Sequence, residues 1–213
     1  MQILMQTGGV AQTNAFVIAD EVAKAAVLFD APDHTVAPLL DQVQQNGWDL
    51  IGLWLTHGHF DHLADHAVVK ARFPHAKILI HPLEEPRLRD PRSRVFELPF
   101  VIPPGAPDGH VNDGDVLRIG SMEIRVIHTP GHSPGHVTYH LPKEKVLVGG
   151  DLIICGAVGR TDLPGCDAGQ LEESIRKVMK LPPETRLLPG HCEPTTLGAE
   201  LESNPYVQMA LRV

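Results

Sequence analysis

Leu50-Ile51-Gly52-Leu53-Trp54-Leu55 runs straight into Thr56-His57-Gly58-His59-Phe60-Asp61-His62. The first six residues are almost wholly apolar and bounded by turns, as expected of a strand covered on both faces. The residues after them put three histidines and a carboxylate within six positions. They sit at the C-terminal end of that strand, where α/β sheets gather their ligands. Imidazole and carboxylate without thiolate suit a borderline metal such as Zn²⁺, Fe²⁺ or Mn²⁺. On an extended backbone His57, His59 and Asp61 alternate onto one side, and His62 serves a different direction. A merely solvent-exposed polar loop is the plainer alternative, and four potential ligands in so short a stretch argue against it.

Outward from this loop the chain reads as α/β. A helix runs on from the histidines through Phe73, and a strand follows at Lys77 to Ile80. Upstream, Met1 to Gln6, Ala15 to Ile18 and Ala25 to Phe29 read as strands. A helix from about His34 to Gln45 follows, with Asp33 as N-cap, an apolar face of Val36, Leu39, Leu40 and Val43, and Gly47 as its stop. Strand, loop, helix, strand is an α/β order. From Pro82 to Asp115 the prolines are too dense for regular structure. That stretch is either a lid or binding loop bordering a pocket, with His110 in it, or a plain surface excursion. Strands resume at Val116 to Ile119, Glu123 to Ile127, His136 to His140 and Lys145 to Val148. A helix from Gly169 to Lys180 and a short strand from Arg186 to Leu188 complete a single domain over residues 1–213.

Composition narrows the function classes. The chain has 213 residues, 43% hydrophobic and 21% charged, which is globular. Its net charge is −8, so a nucleic-acid partner is not expected. No apolar run approaches the ~18 residues of a membrane span. Lys24 is the first basic residue, so no basic region precedes an apolar run as in a secretory signal, and a soluble, cytoplasmic protein is expected. Three widely spaced cysteines, Cys155, Cys166 and Cys192, fit neither a disulfide framework nor a thiolate zinc site. Thirteen histidines are what needs explaining.

Three further segments extend the pattern. His128-Thr129-Pro130-Gly131-His132-Ser133-Pro134-Gly135-His136 also follows a strand, and its prolines and glycines preform a tight turn that presents one or two rings. Not all three of its histidines can face one ion. Gly149-Gly150-Asp151 and Pro189-Gly190-His191 each place one more candidate ligand after a strand. Alone, Asp151 reads as a turn or helix cap and His191 as an ordinary surface or core residue; joining the two clusters in the same positional role gives them weight. His34, His75, His81, His110 and His140 lack converging partners and read as surface or packing residues. His66 lies one helical turn from His62 and reads as a solvated helix position. Tyr139 reads as core, Tyr206 as part of the tail, and Cys192 as a small packed residue beside His191.

At this point the sequence resembles the metallo-β-lactamase superfamily, and within it the glyoxalase II-like, hydroxyacylglutathione hydrolase-like enzymes. The resemblance runs from Thr13-Asn14-Ala15 to His191 and rests on the HxHxDH loop, the HTPGHSPGH segment, the GGD at Asp151 and Gly159-Arg160-Thr161-Asp162. It implies an αββα sandwich with metals at one end between the halves. It also implies a ligand set: His57, His59 and His132 for one divalent ion, Asp61, His62 and His191 for a second, and Asp151 bridging the two. The ions would be zinc, with iron or manganese as alternatives. His128 and His136 match positions that are not ligands and are expected as buried hydrogen-bonding residues, while Thr56 is expected to orient a ligand ring.

The chemistry implied is hydrolysis of a small-molecule thioester such as S-lactoylglutathione by a hydroxide shared between two cations, with Asp61 assisting as proton acceptor. Long-form enzymes of this kind grip glutathione with a C-terminal helical segment. Here 22 residues follow His191, and Arg212 is their only basic one. The expectation is therefore a short form without a separate helical substrate domain, in which Arg160 is the candidate for the glutathione carboxylates. A structural ion pair of Arg160 with Asp162 or Asp167 is the alternative. Persulfide dioxygenation at a single iron, hydrolysis of a lactone or another ester, and a non-catalytic metal-binding module are the rival functions.

Overall fold

In the computed structural model, which describes residues 1–93 and 95–212, the first half of the chain builds one sheet around the apolar strand quoted above. β1 (Gln2–Gly8), β2 (Thr13–Asp20) and β3 (Ala25–Phe29) form an antiparallel meander. β1 and β2 outrun the spans expected from sequence; all of Thr13 to Asp20 is buried, polar ends included. A crossover through α1 (Ala37–Gln45) leads to β4 (Asp49–Trp54), which lies parallel to β3. α1 buries Leu39, Leu40 and Val43 as their spacing predicts.

Its start departs from expectation, because Asp33 does not cap it. The amides of His34, Thr35 and Val36 donate instead to the carboxylate of Asp65, at 3.1, 3.0 and 3.2 Å. Asp65, just before the helix His66–Arg72, thus fixes the turn that leads into α1, and no side chain caps α1 itself. Asp33 accepts from the Val10 amide and holds the β1–β2 turn.

The helix expected after the histidine loop is broken into α2 (Phe60–Leu63) and α3 (His66–Arg72). β5 (Lys77–Ile80) is parallel to β4. The proline-rich stretch begins with regular structure, contrary to its reading as irregular throughout. A 3-10 turn, Pro82–Glu84, runs into α4 (Glu85–Arg89). Pro82 and Pro86 fall in the opening positions of these turns, where the missing N–H is no loss. An irregular segment then leads to β6 (Gly109–His110), which closes the edge beside β5.

The second half repeats the plan. β7 (Val116–Ile119), β8 (Met122–His128), β9 (Val137–Leu141) and β10 (Val146–Gly150) form a meander. A hairpin of β11 (Ile153–Ile154) and β12 (Ala157–Val158) precedes α5 (Ala168–Val178), capped by the Asp167 carboxylate. β13 (Arg186–Pro189) then enters parallel to β10 and carries β14 (Thr195–Thr196) on its outer edge. α6 (Leu197–Ser203) and α7 (Pro205–Ala210), not anticipated from the sequence, follow.

Among the described residues these strands make two six-stranded sheets, ordered β1-β2-β3-β4-β5-β6 and β14-β13-β10-β9-β8-β7. Alternation along the strands assigns the layers. Phe16, Ile18 and Phe29 of the first sheet meet Val126, Tyr139 and Val148 of the second in the central layer. The opposite faces, through Val17, Leu28 and Leu53, pack on α1 to α3. Leu147 and Leu187 pack on α5 to α7. The result is an αββα sandwich in a single domain, as expected. No described helix is long and apolar enough to cross a membrane.

Candidate metal centre

Loops after β3, β4, β8, β10 and β13 meet at one edge of the sandwich. The loop after β4 is fixed first. Thr56 donates from its amide and from Oγ1 to the two carboxylate oxygens of Asp30, at 2.8 Å each. Its hydroxyl oxygen is then left to accept from Nδ1 of His57, 3.0 Å away. That hydrogen bond places the His57 proton on Nδ1 and turns the Nε2 lone pair toward the cleft. His132 is oriented in the same way by the carbonyl of Arg160, which accepts from its Nδ1 at 2.9 Å. His57 Nε2 lies 3.0 Å from His59 Nδ1, which lies 2.8 Å from His132 Nε2. Three imidazole nitrogens thus converge on one point. Burial, and then the neighbouring imidazoles, push His57 well below the usual histidine range and His59 down to about 2. The neutral ring is the form that binds a metal.

A second group stands beside the first. His62 donates from Nδ1 to Asp30 Oδ2 at 2.8 Å, and its Nε2 faces Asp151 Oδ1 at 3.3 Å and Asp61 Oδ2 at 3.5 Å. His191, whose Nδ1 is 3.3 Å from the carbonyl of Gln12, brings Nε2 to 3.5 Å from Asp61 Oδ2 and 3.4 Å from Asp151 Oδ2. Thr13 Oγ1 anchors Asp61 by donating to Oδ2 at 2.8 Å. Here the balance reverses. Burial disfavours a charged His62, yet Asp151, Asp61 and Asp30 hold its pKa well above normal. Burial likewise opposes the ionised Asp151 carboxyl, which His62 and His191 hold well below its usual range.

Asp151 touches both groups, since its Oδ2 is also 3.4 Å from His132 Nε2. The donor chemistry fits cations. His62 Nε2 and Asp151 Oδ1 are buried 3.3 Å apart without a well-aligned hydrogen bond to any partner, an arrangement that is unfavourable for buried polar atoms. In the first group the Nε2 lone pairs of His57 and His132 both face His59 Nδ1, which can offer a proton to only one of them. A divalent ion at each position relieves both problems.

The seven residues singled out in the sequence therefore stand together, in groups that local alternation did not anticipate. Asp61 does not join His57 and His59 on one side; α2 begins at Phe60, and its first turn swings Asp61 to His62 and His191. His136 is fully buried, donates from Nδ1 to Thr129 Oγ1 at 2.9 Å and accepts the Asp151 amide on Nε2 at 3.1 Å. His128 is only half-buried, a correction to its expected burial: it stacks on His81 and bonds the Pro134 carbonyl at 2.9 Å. His66 is buried rather than solvated, bonded to the Leu63 carbonyl and packed near Gly105, so it does not support His62. Cys192 is exposed and takes a left-handed backbone at φ 65°, so it is not the packed residue expected. Asp30 and Thr13 were missed. The signal for Asp30 was available, since it follows an apolar strand as Asp151 does.

A cavity of about 220 Å³ opens onto the centre. Phe60, Phe96 and Leu163 give it apolar walls, and Arg87, Arg92 and Arg160 reach its lining. Arg92, Val95 and Phe96 come from the proline-rich stretch, which therefore borders the pocket, whereas His110 does not. Arg160 makes a two-pronged pair with Asp162, at 2.6 and 2.7 Å. Tyr206 lies outside this cavity.

Residues 8–191 match the family model described as the metallo-beta-lactamase superfamily. The chain is 35% identical to an uncharacterized protein of Aquifex aeolicus (strain VF5), covering 91% of this chain and 90% of that one. It is 32% identical to the hydroxyacylglutathione hydrolase GloC of Haemophilus influenzae (strain ATCC 51907 / DSM 11121 / KW20 / Rd), over 92% and 93% of the two chains. Among solved structures, the BLEG-1 B3 metallo-beta-lactamase superposes with a TM-score of 0.89 at 34% identity, over 97% and 99% of the chains. TTHA1623 in a di-iron-bound form superposes with a TM-score of 0.84 at 35% identity, over 95% and 99%.

Proposed function

Because this chain belongs to the metallo-β-lactamase superfamily as a metallohydrolase with a His/Asp metal-binding centre, we propose that it hydrolyses a thioester of the S-lactoylglutathione type with two divalent ions, zinc in the first instance. The observation that carries the reading is Asp151, whose carboxylate reaches His132 on one side and His62 and His191 on the other. His57, His59 and His132 would hold one ion and Asp61, His62 and His191 the other, with Asp151 placed to serve both. The chemistry such ions would supply there is Lewis acidity, toward a water and toward the substrate carbonyl.

The chain's own residues do the rest. Asp61, steadied by Thr13 through Oδ2, takes up a proton as the attacking oxygen loses it. Phe60, Phe96 and Leu163 cover the acyl group and keep bulk water from it. Arg160 offers its guanidinium to a substrate carboxylate in exchange for Asp162. None of Cys155, Cys166 and Cys192 is needed as nucleophile; Cys166 is occupied in donating Sγ to the His132 carbonyl at 2.9 Å. The likeness to GloC supports the thioester, while the likeness to BLEG-1 makes a β-lactam the competing substrate. The substrate is a small molecule, met in the cytoplasm without nucleic acid or membrane.

Metal quantitation beside assays on S-lactoylglutathione, glutathione persulfide, a lactone and a β-lactam tests the proposal. Close to two ions per chain, thioester turnover and its loss in Asp61→Ala are expected. One tightly held iron with oxygen uptake on the persulfide overturns the hydrolase in favour of a dioxygenase. Turnover confined to the lactone or the β-lactam overturns the thioester.

A further inference from the structure

Glu84 ends the 3-10 turn after β5 and has no accessible surface. Its carboxylate spans two loops that are far apart in sequence. Oε2 accepts the Gly58 amide at 3.0 Å, between ligands His57 and His59, and Oε1 accepts the Gly135 amide at 2.7 Å, three residues after His132. Arg87 Nη1 completes the set on Oε2 at 2.7 Å. A buried carboxylate is costly unless paired and bonded, and both conditions are met here.

The two loops belong to different sheets, since one follows β4 and the other β8. Both glycines are required for the approach. A Cβ on Gly58 would stand 2.8 Å from Glu84 Oε2, and one on Gly135 would stand 2.8 Å from Glu84 Cγ. We infer that Glu84 is a positioning residue, a strut that holds the His57–His59 loop and the His132 loop at the separation at which their three imidazoles share one ion. Among the described residues, Glu84 bonds Gly58, Arg87 and Gly135 and does not bond Asp61, His62 or His191. The strut therefore acts on one metal group and not on the other.

The inference rests on the two-ion reading. The test titrates the metal-stripped full chain with Zn²⁺ against a chromophoric chelator, for the wild type, Glu84→Gln and Gly135→Ala. A His132→Ala chain identifies the binding step that belongs to the first group. In Glu84→Gln the carboxamide oxygen can accept only one of the two amides. The affinity of the first-group step is therefore expected to fall ten- to hundredfold, with the other step unchanged. If Glu84→Gln does not fold, Gly135→Ala, which pushes the carboxylate off the second loop, carries the same expectation. Equal weakening of both steps together with a lower melting temperature of the stripped chain indicates general structural support, and overturns the strut. So do unchanged affinities. A wild type that takes up one ion sinks the two-ion reading, and the strut is then judged on that ion's affinity in the same variants; no uptake sinks both.

Discussion

Asp30 Oδ2 lies 2.8 Å from Nδ1 of His62, with both side chains buried. The same carboxylate receives the Thr56 amide and hydroxyl, so one residue aligns His62 directly and His57 through Thr56. Asp30 does so from a left-handed backbone at φ 58°, a conformation that Asp tolerates better than most residues. Asp30→Asn keeps the volume but turns an amide donor against a donor. Metal affinity is expected to fall ten- to hundredfold, read by chelator competition. Wild-type affinity in this variant would remove Asp30 from the centre.

Arg160 separates recognition from stability. Its pair with Asp162 is solvent-exposed on both sides, and such pairs contribute about 0–1 kcal/mol. Arg160→Ala should leave the melting temperature in place. If the guanidinium meets a substrate carboxylate, KM for the glutathione thioester rises about tenfold, or about 1.4 kcal/mol, with kcat little changed. An unaltered KM means that Arg160 serves Asp162 alone.

Tyr139 is fully buried and its hydroxyl donates to the Leu55 carbonyl at 2.9 Å, just before the histidine loop. Tyr139→Phe removes that bond and leaves a buried acceptor. A loss of about 1–3 kcal/mol in urea unfolding is expected. A stability equal to that of the wild type would show that the carbonyl finds another partner.

Asp20 links the two sheets at the edge of the sandwich. It accepts the amides of Val22 and Ala23 at 3.1 Å each, and the amide and hydroxyl of Ser121 at 2.8 Å each. The Ser121 amide first, then the Ala23 amide, hold its carboxyl well below the usual range. A lowered folded pKa means that the stabilisation is complete above the unfolded value of about 3.9 and is lost as pH falls through the folded one. In the metal-stripped chain, Asp20→Asn should lower the urea midpoint at pH 7 and flatten its decline below about pH 4. Parallel curves for the two proteins would contradict this.

The strand and loop around His57 were legible because both signals are local: an apolar run, then ligand types at close spacing. α1 was legible from its apolar period, but its start was not, since the turn before it is held by Asp65 from 29 to 31 residues away rather than by a local cap. The burial of His66 and the strut of Glu84 have no periodic signature either. Each depends on what another loop places opposite it.

By itself the sequence determined which chemistry the centre uses, because imidazoles and carboxylates at strand ends, without paired thiols, leave little else. The layered αββα arrangement came only from the family resemblance, since strands such as β2, β9 and β10 are buried along their whole length. Local spacing did not give the partnerships; the family resemblance implied them, and the tertiary structure shows how they arise. Asp61 leaves His57 and His59 for His62 and His191, and Asp151 reaches across both groups. The reason is physical: His132, Asp151 and His191 follow strands of the second sheet, and only the packing of the two sheets face to face brings those strand ends to the loop after β4.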